Sequence, residues 1–210
     1  EKEFDGEGFA KKGVILVTIN YRVNAFGFFA HPALEEETEE GVSGNYGIFD
    51  QIFALDWVQQ NIAAFGGDPD AIPLAGQSAG CMSVQTILSS PLARGMARGA
   101  ILQSGGGIQA LHTTPGKQAL WEVSQRLMDH LGVSTLEEAR ALPAEYIRDK
   151  NDAFGHYWGI VADGTFQKQY FWDGVYEGAQ LDVPLMLGFT DNEFFMEPSA
   201  QSMGELEQEA

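Results

Sequence analysis

Residues 76–80 read GQSAG, a serine with a glycine two positions away on either side. A serine hydroxyl attacks a carbonyl only when a base takes its proton and nearby donors stabilise the oxyanion that forms. The GxSxG pattern alone is weak in a chain with 25 glycines. Its setting is more informative, because the apolar run IPLA enters it and a helical pattern through Met82, Val84 and Leu88 leaves it. A nucleophile elbow needs that strand, turn and helix. Small residues at Gly76, Ala79 and Gly80 would let strand and helix converge on a sharply turned Ser78. The N–H of Ala79, opening the helix, would then face a developing negative charge with the helix dipole behind it. The competing reading is a glycine-rich turn that happens to hold a serine.

The elements around Ser78 follow from periodicity. GVILVTI at 13–19 is a short β-branched apolar run, the pattern of a strand buried on both faces of a parallel sheet. After it, Ile48, Ile52, Leu55 and Ile62 fall on one helical stripe, which Phe49, Phe53 and Trp57 widen; Gly66 and Gly67 cap it, with Pro69 beyond. IPLAG is a second strand, although Pro73 lacks a ladder donor. The helix after Ser78 runs to Pro91, and GAILQSG from Gly99 is a third strand. A helix over 117–131 carries Leu120, Leu127 and Leu131 before Gly132. Ser134 to Glu137 is read as a capping box for a short helix ending near Pro143. VPLMLGF at 183–189 is the last strand, and 151–180, rich in aromatics, Gly and Asp, is read as loop or cap. Strands alternating with helices without repeat or linker predict one α/β domain over residues 1–210 with a mostly parallel sheet.

Composition excludes several functions. Thirty acidic against 12 basic residues give a formal charge of −18, which repels phosphate backbones and anionic membranes. No apolar run approaches the roughly 20 residues of a membrane span. The acidic run EEETEE at 35–40 reads as solvated loop. The single cysteine, Cys81, reads as a small packed residue and suits a reducing compartment, so a cytoplasmic location is the expectation. The chain starts at Glu1 rather than Met, so the lack of a signal peptide carries no weight. GGGI at 105–108 has neither a Rossmann fingerprint nor a P-loop lysine, and no metal or organic cofactor is expected.

NYRVNAFGFFA, GNYGIFDQIFALDWVQQNIAAFGGDP, GQSAG and AILQSGG occur in order and at the approximate spacing of the type B carboxylesterases. That α/β-hydrolase group includes cholinesterases and bacterial para-nitrobenzyl-type esterases, and this chain resembles a central fragment of a bacterial member. The resemblance implies a carboxylic-ester hydrolase working through an acyl-enzyme on a small-molecule ester. It makes Ser78 the nucleophile, Ala79 an oxyanion donor and Glu193 of DNEFF the acid that orients a histidine, with Asp191 as nearby competitor and Asn192 replacing the family's aspartate. It makes Arg22 and Asp50 a buried ion pair beneath the site and Ser104 a support for the acid. Gln77 stands where the family more often has glutamate. The HGGG-type oxyanion loop should lie upstream of FDGEGF. The family's histidine follows the acid, whereas His31, His112, His130 and His156 all precede Glu193. The printed chain alone is therefore expected to be close to inert. By the same resemblance the loop after AILQSGG borders the acyl pocket. Tyr157, Trp158, Phe166, Tyr170, Phe171 and Trp172 would line that pocket or pack a cap. Two other readings stand beside this one: a non-catalytic adhesion domain of the same fold, and a lipase or peptidase using the same elbow.

Overall fold

The computed structural model describes residues 5–105, 116–167, 175–191 and 193. The apolar run before the serine forms β1, Pro73–Gln77; GAILQ forms β2, Gly99–Gln103; and LMLG forms β3, Leu185–Gly188. All pair in parallel in the order β1-β2-β3. Pro73 is the first residue of a strand with one described neighbour, where a missing N–H removes little from the ladder. Gln77, Gln103 and Gly188 stand level in the register, so the chain leaves all three strands at one edge.

GVILVTI does not join this sheet. Among the described residues it pairs with no strand, and Val14, Ile15, Leu16, Val17 and Ile19 are all exposed. An apolar run becomes a strand only when a neighbouring backbone takes its hydrogen bonds, and sequence periodicity carries no information about that neighbour.

Short helices α1 (Glu7–Ala10), α2 (Asn24–Phe28) and α3 (Pro32–Glu35) precede the long α4, Tyr46–Asn61. Helix α4 tightens into a 3₁₀ turn, Ile62–Phe65, and ends at Gly66, whose φ of 84° only glycine adopts easily. Gly67 N–H returns to Ile62 O at 3.0 Å, so both glycines serve the cap. The buried stripe of α4 is Ile48, Gln51, Leu55 and Val58. Phe53 and Trp57, expected to widen it, are 72% and 49% exposed, and Trp57 instead meets Phe65 at 6.3 Å between ring centres.

Helix α5, Ala79–Ser89, follows the serine and covers the sheet. Cys81, Val84 and Leu88 pack on Ala100 and Leu102 of β2, with Leu74, Leu181 and Val183 at the margins. A larger core lies among the helices, where Phe28, Ile48, Leu120, Leu127, Trp158, Val161 and Phe166 are buried together. It includes α6, Lys117–Leu131, closed by Gly132 at φ 77°. The capping box falls one residue later than predicted: Thr135 Oγ1 accepts from Glu138 N–H, and Glu138 Oε2 accepts from Thr135 N–H, opening α7 at Leu136–Ala141. Helix α8, Ala144–Phe154, runs into the segment read as loop, with Pro143 before its first turn. The prediction missed it because its exposed face carries most of its residues and Asn151 is its one buried residue. That asparagine holds the buried Trp158 indole at 2.6 Å.

The acidic run is only partly solvated. Glu35 pairs with Lys117 of α6 at 2.6 Å and Glu37 takes both guanidinium nitrogens of Arg140 on α7.

Candidate active site

Ser78 sits between β1 and α5 with φ 53° and ψ −120°, a backbone conformation that an L-residue with a Cβ rarely adopts. Two bonds hold it there. Ser78 N–H donates to Gln103 O at 2.9 Å, continuing the β1–β2 ladder one step past the strand, and Met82 N–H donates to Ser78 O at 3.1 Å, starting the helix. The turn also needs bare backbone at Gly76, where a Cβ would stand 2.2 Å from Gly80 O and 2.7 Å from Cys81 N. Gly105 is equally closed, its Cβ position lying 2.4 Å from Ser78 O. Gly80 is different, since a Cβ there meets nothing within 4 Å and only its backbone is approached from Gly76. Ala79 is the first residue of α5, so its N–H belongs to the first-turn donors that have no acceptor within the helix. Gln77 is exposed at the end of β1. Cys81 is buried, donates its thiol to Gly105 O at 3.4 Å and has its pKa pushed up by burial, which makes it packing rather than a second nucleophile.

One strand along, Ser104 leaves β2 with φ 47°, and its N–H donates to Gly188 O at 2.9 Å. After β3 the chain turns so that Glu193 comes back to this edge. The Ser104 hydroxyl donates to the Glu193 carboxylate, and Thr190 donates to Glu193 Oε1 twice, through its N–H at 2.6 Å and its hydroxyl at 2.9 Å. These donors, Ser104 first, hold the carboxyl below its usual pKa. Asp191, the nearby competitor, is exposed. Ser78, Ser104 and Glu193 thus gather at the carboxyl ends of consecutive parallel strands, with β1 and β3 two strand spacings, roughly 10 Å, apart.

Arg22 and Asp50 do pair: the guanidinium donates to both carboxylate oxygens at 2.7 and 2.8 Å and the Arg22 N–H to one of them at 2.9 Å. The pair is not buried as predicted, its side chains being 52% and 25% exposed. Arg22 leaves by the loop before α2 and has its outer face open. Asp50 is nonetheless lowered by the arginine. The next residue, Gln51, links α4 to α5 by donating to Ser83 Oγ at 3.1 Å.

Among the described residues no histidine is hydrogen-bonded to Ser78 or Glu193. His31 accepts from Ala33 N–H as the cap of α3, and His130 and His156 both face Phe154. His112 lies outside the described residues, as do 106–108 of the GGGI loop and Tyr170, Phe171, Trp172 and Asn192. Of the aromatics assigned to a pocket or cap, Trp158 and Phe166 are core and Tyr157 is exposed. Sequence reasoning missed Thr190 and a buried lock in which Asn45 Nδ2 donates to Asp163 Oδ2 at 2.7 Å and to Val161 O at 2.8 Å. Thr190, three residues before a carboxylate at a strand end, was a readable turn signal. Asn45 and Asp163 are too far apart in sequence for any local signal.

A model of the carboxylesterase family matches residues 1–208. Fumonisin B1 esterase of Sphingopyxis macrogoltabida is 36% identical over 191 residues, covering 88% of this chain and 34% of that protein. Para-nitrobenzyl esterase of Bacillus subtilis is 33% identical over 203 residues, covering 93% of this chain and 41% of that protein. Among solved structures, the Geobacillus stearothermophilus carboxylesterase EST55 superposes with a TM-score of 0.80 at 38% identity, over 91% of this chain and 42% of the other. The chain therefore spans less than half the length of the relatives it matches.

Proposed function

This chain belongs to the carboxylesterase family and has its α/β-hydrolase fold, and from that premise we propose that the protein hydrolyses carboxylic esters with Ser78 as nucleophile. The observation that carries the reading is the backbone of Ser78, φ 53° and ψ −120°, held at the carboxyl edge of a parallel sheet with bare glycine behind it. Such strain persists where function uses it.

In this reading the Ser78 oxygen adds to the ester carbonyl carbon while its proton passes to a histidine base. Among the described residues no histidine is hydrogen-bonded to Ser78 or Glu193, so this reading takes its base from outside them. The N–H of Ala79 donates to the oxyanion, helped by the positive end of α5. Collapse breaks the bond to the alcohol, which leaves with the proton; water then releases the acid and restores the serine hydroxyl. Glu193 accepts from the far N–H of the imidazole, fixing its tautomer and stabilising its charged form. No step calls for a metal or organic cofactor. The single buried Cys81 supports a reducing, cytoplasmic setting, which fractionation of the native host would test.

The test is fluorophosphonate labelling of the full-length protein together with turnover of short-chain p-nitrophenyl esters. Ser78→Ala should abolish labelling and lower turnover by about 10⁴ to 10⁶-fold. A folded full-length protein whose Ser78 stays unlabelled would return the chain to the adhesion-domain reading. Preference for triglyceride or peptide over simple esters would move it to a lipase or peptidase.

A further inference from the structure

We propose that Thr190 is a positioning residue for Glu193, its hydroxyl and N–H together fixing one carboxylate oxygen so that the other is presented to the imidazole; this rests on the role of Glu193 given above. Both donors converge on the same atom, Oε1, at 2.6 and 2.9 Å. A carboxylate has about four acceptor positions, and two donors on Oε1 with one from Ser104 leave capacity on Oε2. The arrangement is needed because Glu193 lies five residues past the end of β3 (188 to 193), beyond the ladder that holds Ser78 and Ser104. A glutamate side chain there has three staggered or broad torsions to fix. Thr190 lies close behind the last ladder contact, Ser104 N–H to Gly188 O, so it transfers the rigidity of the sheet to the carboxylate. The direction of the Glu193 pKa agrees, since both Thr190 donors contribute to lowering it.

The experiment uses the full-length protein and three variants, with kcat, KM and the thermal midpoint read for each. Thr190→Val removes the hydroxyl at nearly constant shape; it should lower kcat about tenfold, the effect of one hydrogen bond, and leave KM within about twofold. Thr190→Ser restores the hydroxyl and should recover kcat to within about twofold of wild type. A Thr190→Val enzyme with wild-type kcat overturns the proposal, as does a Thr190→Ser enzyme as slow as Thr190→Val. Glu193→Gln separates the two readings: at wild-type turnover it removes Glu193 from the mechanism altogether, whereas a loss of about 10²-fold or more with an unaffected Thr190→Val sinks this inference alone.

Discussion

At the scale of single residues, the elbow distinguishes two glycines that are equivalent in the pattern GxSxG. Gly76→Ala places a methyl 2.2 Å from a carbonyl oxygen and 2.7 Å from a backbone nitrogen, neither of which can rotate away. The expected loss is about 1–3 kcal/mol, read as a lower urea midpoint, with weaker fluorophosphonate labelling because the turn itself must shift. Gly80→Ala meets nothing within 4 Å inside a helix, where alanine is favoured by up to about 1 kcal/mol. It should be neutral or stabilising by the same measurement. The sequence marks Gly76 and Gly80 alike, as small residues around a serine. Which one is crowded depends on the direction in which its missing Cβ would point, and that is set by the strand and helix together.

At the scale of elements, the layer formed by α6, α8 and the 156–158 strip contains an ionisable group in an apolar position. His156 stands edge-on to Trp158 at 4.9 Å, faces Phe154 at 6.3 Å, and has its pKa lowered by burial and then by Arg126 of α6. Burial and a neighbouring cation both disfavour the imidazolium in the folded chain. The unfolded histidine, with a pKa of about 6.5, then binds more protons than the folded one in the window below that value. Stability should be full above pH about 6.5 and fall as the pH drops through the lower folded pKa. His156→Phe should flatten that part of the stability profile, checked by urea midpoints from pH 7 to 5. Helix α6 was legible to the residue because its stripe, Leu120, Leu127 and Leu131, and its Gly132 cap are all local. Helix α8 was not, since the face it packs on the core, Ile147, Asn151 and Phe154, is interrupted by an asparagine that serves Trp158.

At the scale of the whole molecule, the entry to α4 and the 161–167 segment are joined by one polar lock. Asn45 is fully buried with φ 57°; it donates to Asp163 and Val161 O and accepts from Val161 N–H at 3.0 Å. Asp163 Oδ1 meanwhile accepts from Thr165, Phe166 and Gln167 N–H. Asn45→Ala strands a buried carboxylate oxygen and two backbone groups, and should lower stability by about 3 kcal/mol in equilibrium unfolding. A loss below about 0.5 kcal/mol would mean that water replaces the amide. The formal charge of −18 acts at the same scale, as a long-range field that does not choose a fold.

The sequence alone determined the order of helices and strands around the serine, the turn that displays it and the kind of chain this is, because periodicity, caps and small residues act over a few positions. Tertiary structure decided the rest. It left GVILVTI outside the described sheet, exposed Phe53 and Trp57, opened the Arg22–Asp50 pair and placed Ser104 and Thr190 on Glu193. Each of those outcomes depends on what distant backbone arrives beside a side chain. A hydrogen bond or a buried face is a property of two surfaces, and a sequence read locally contains only one of them.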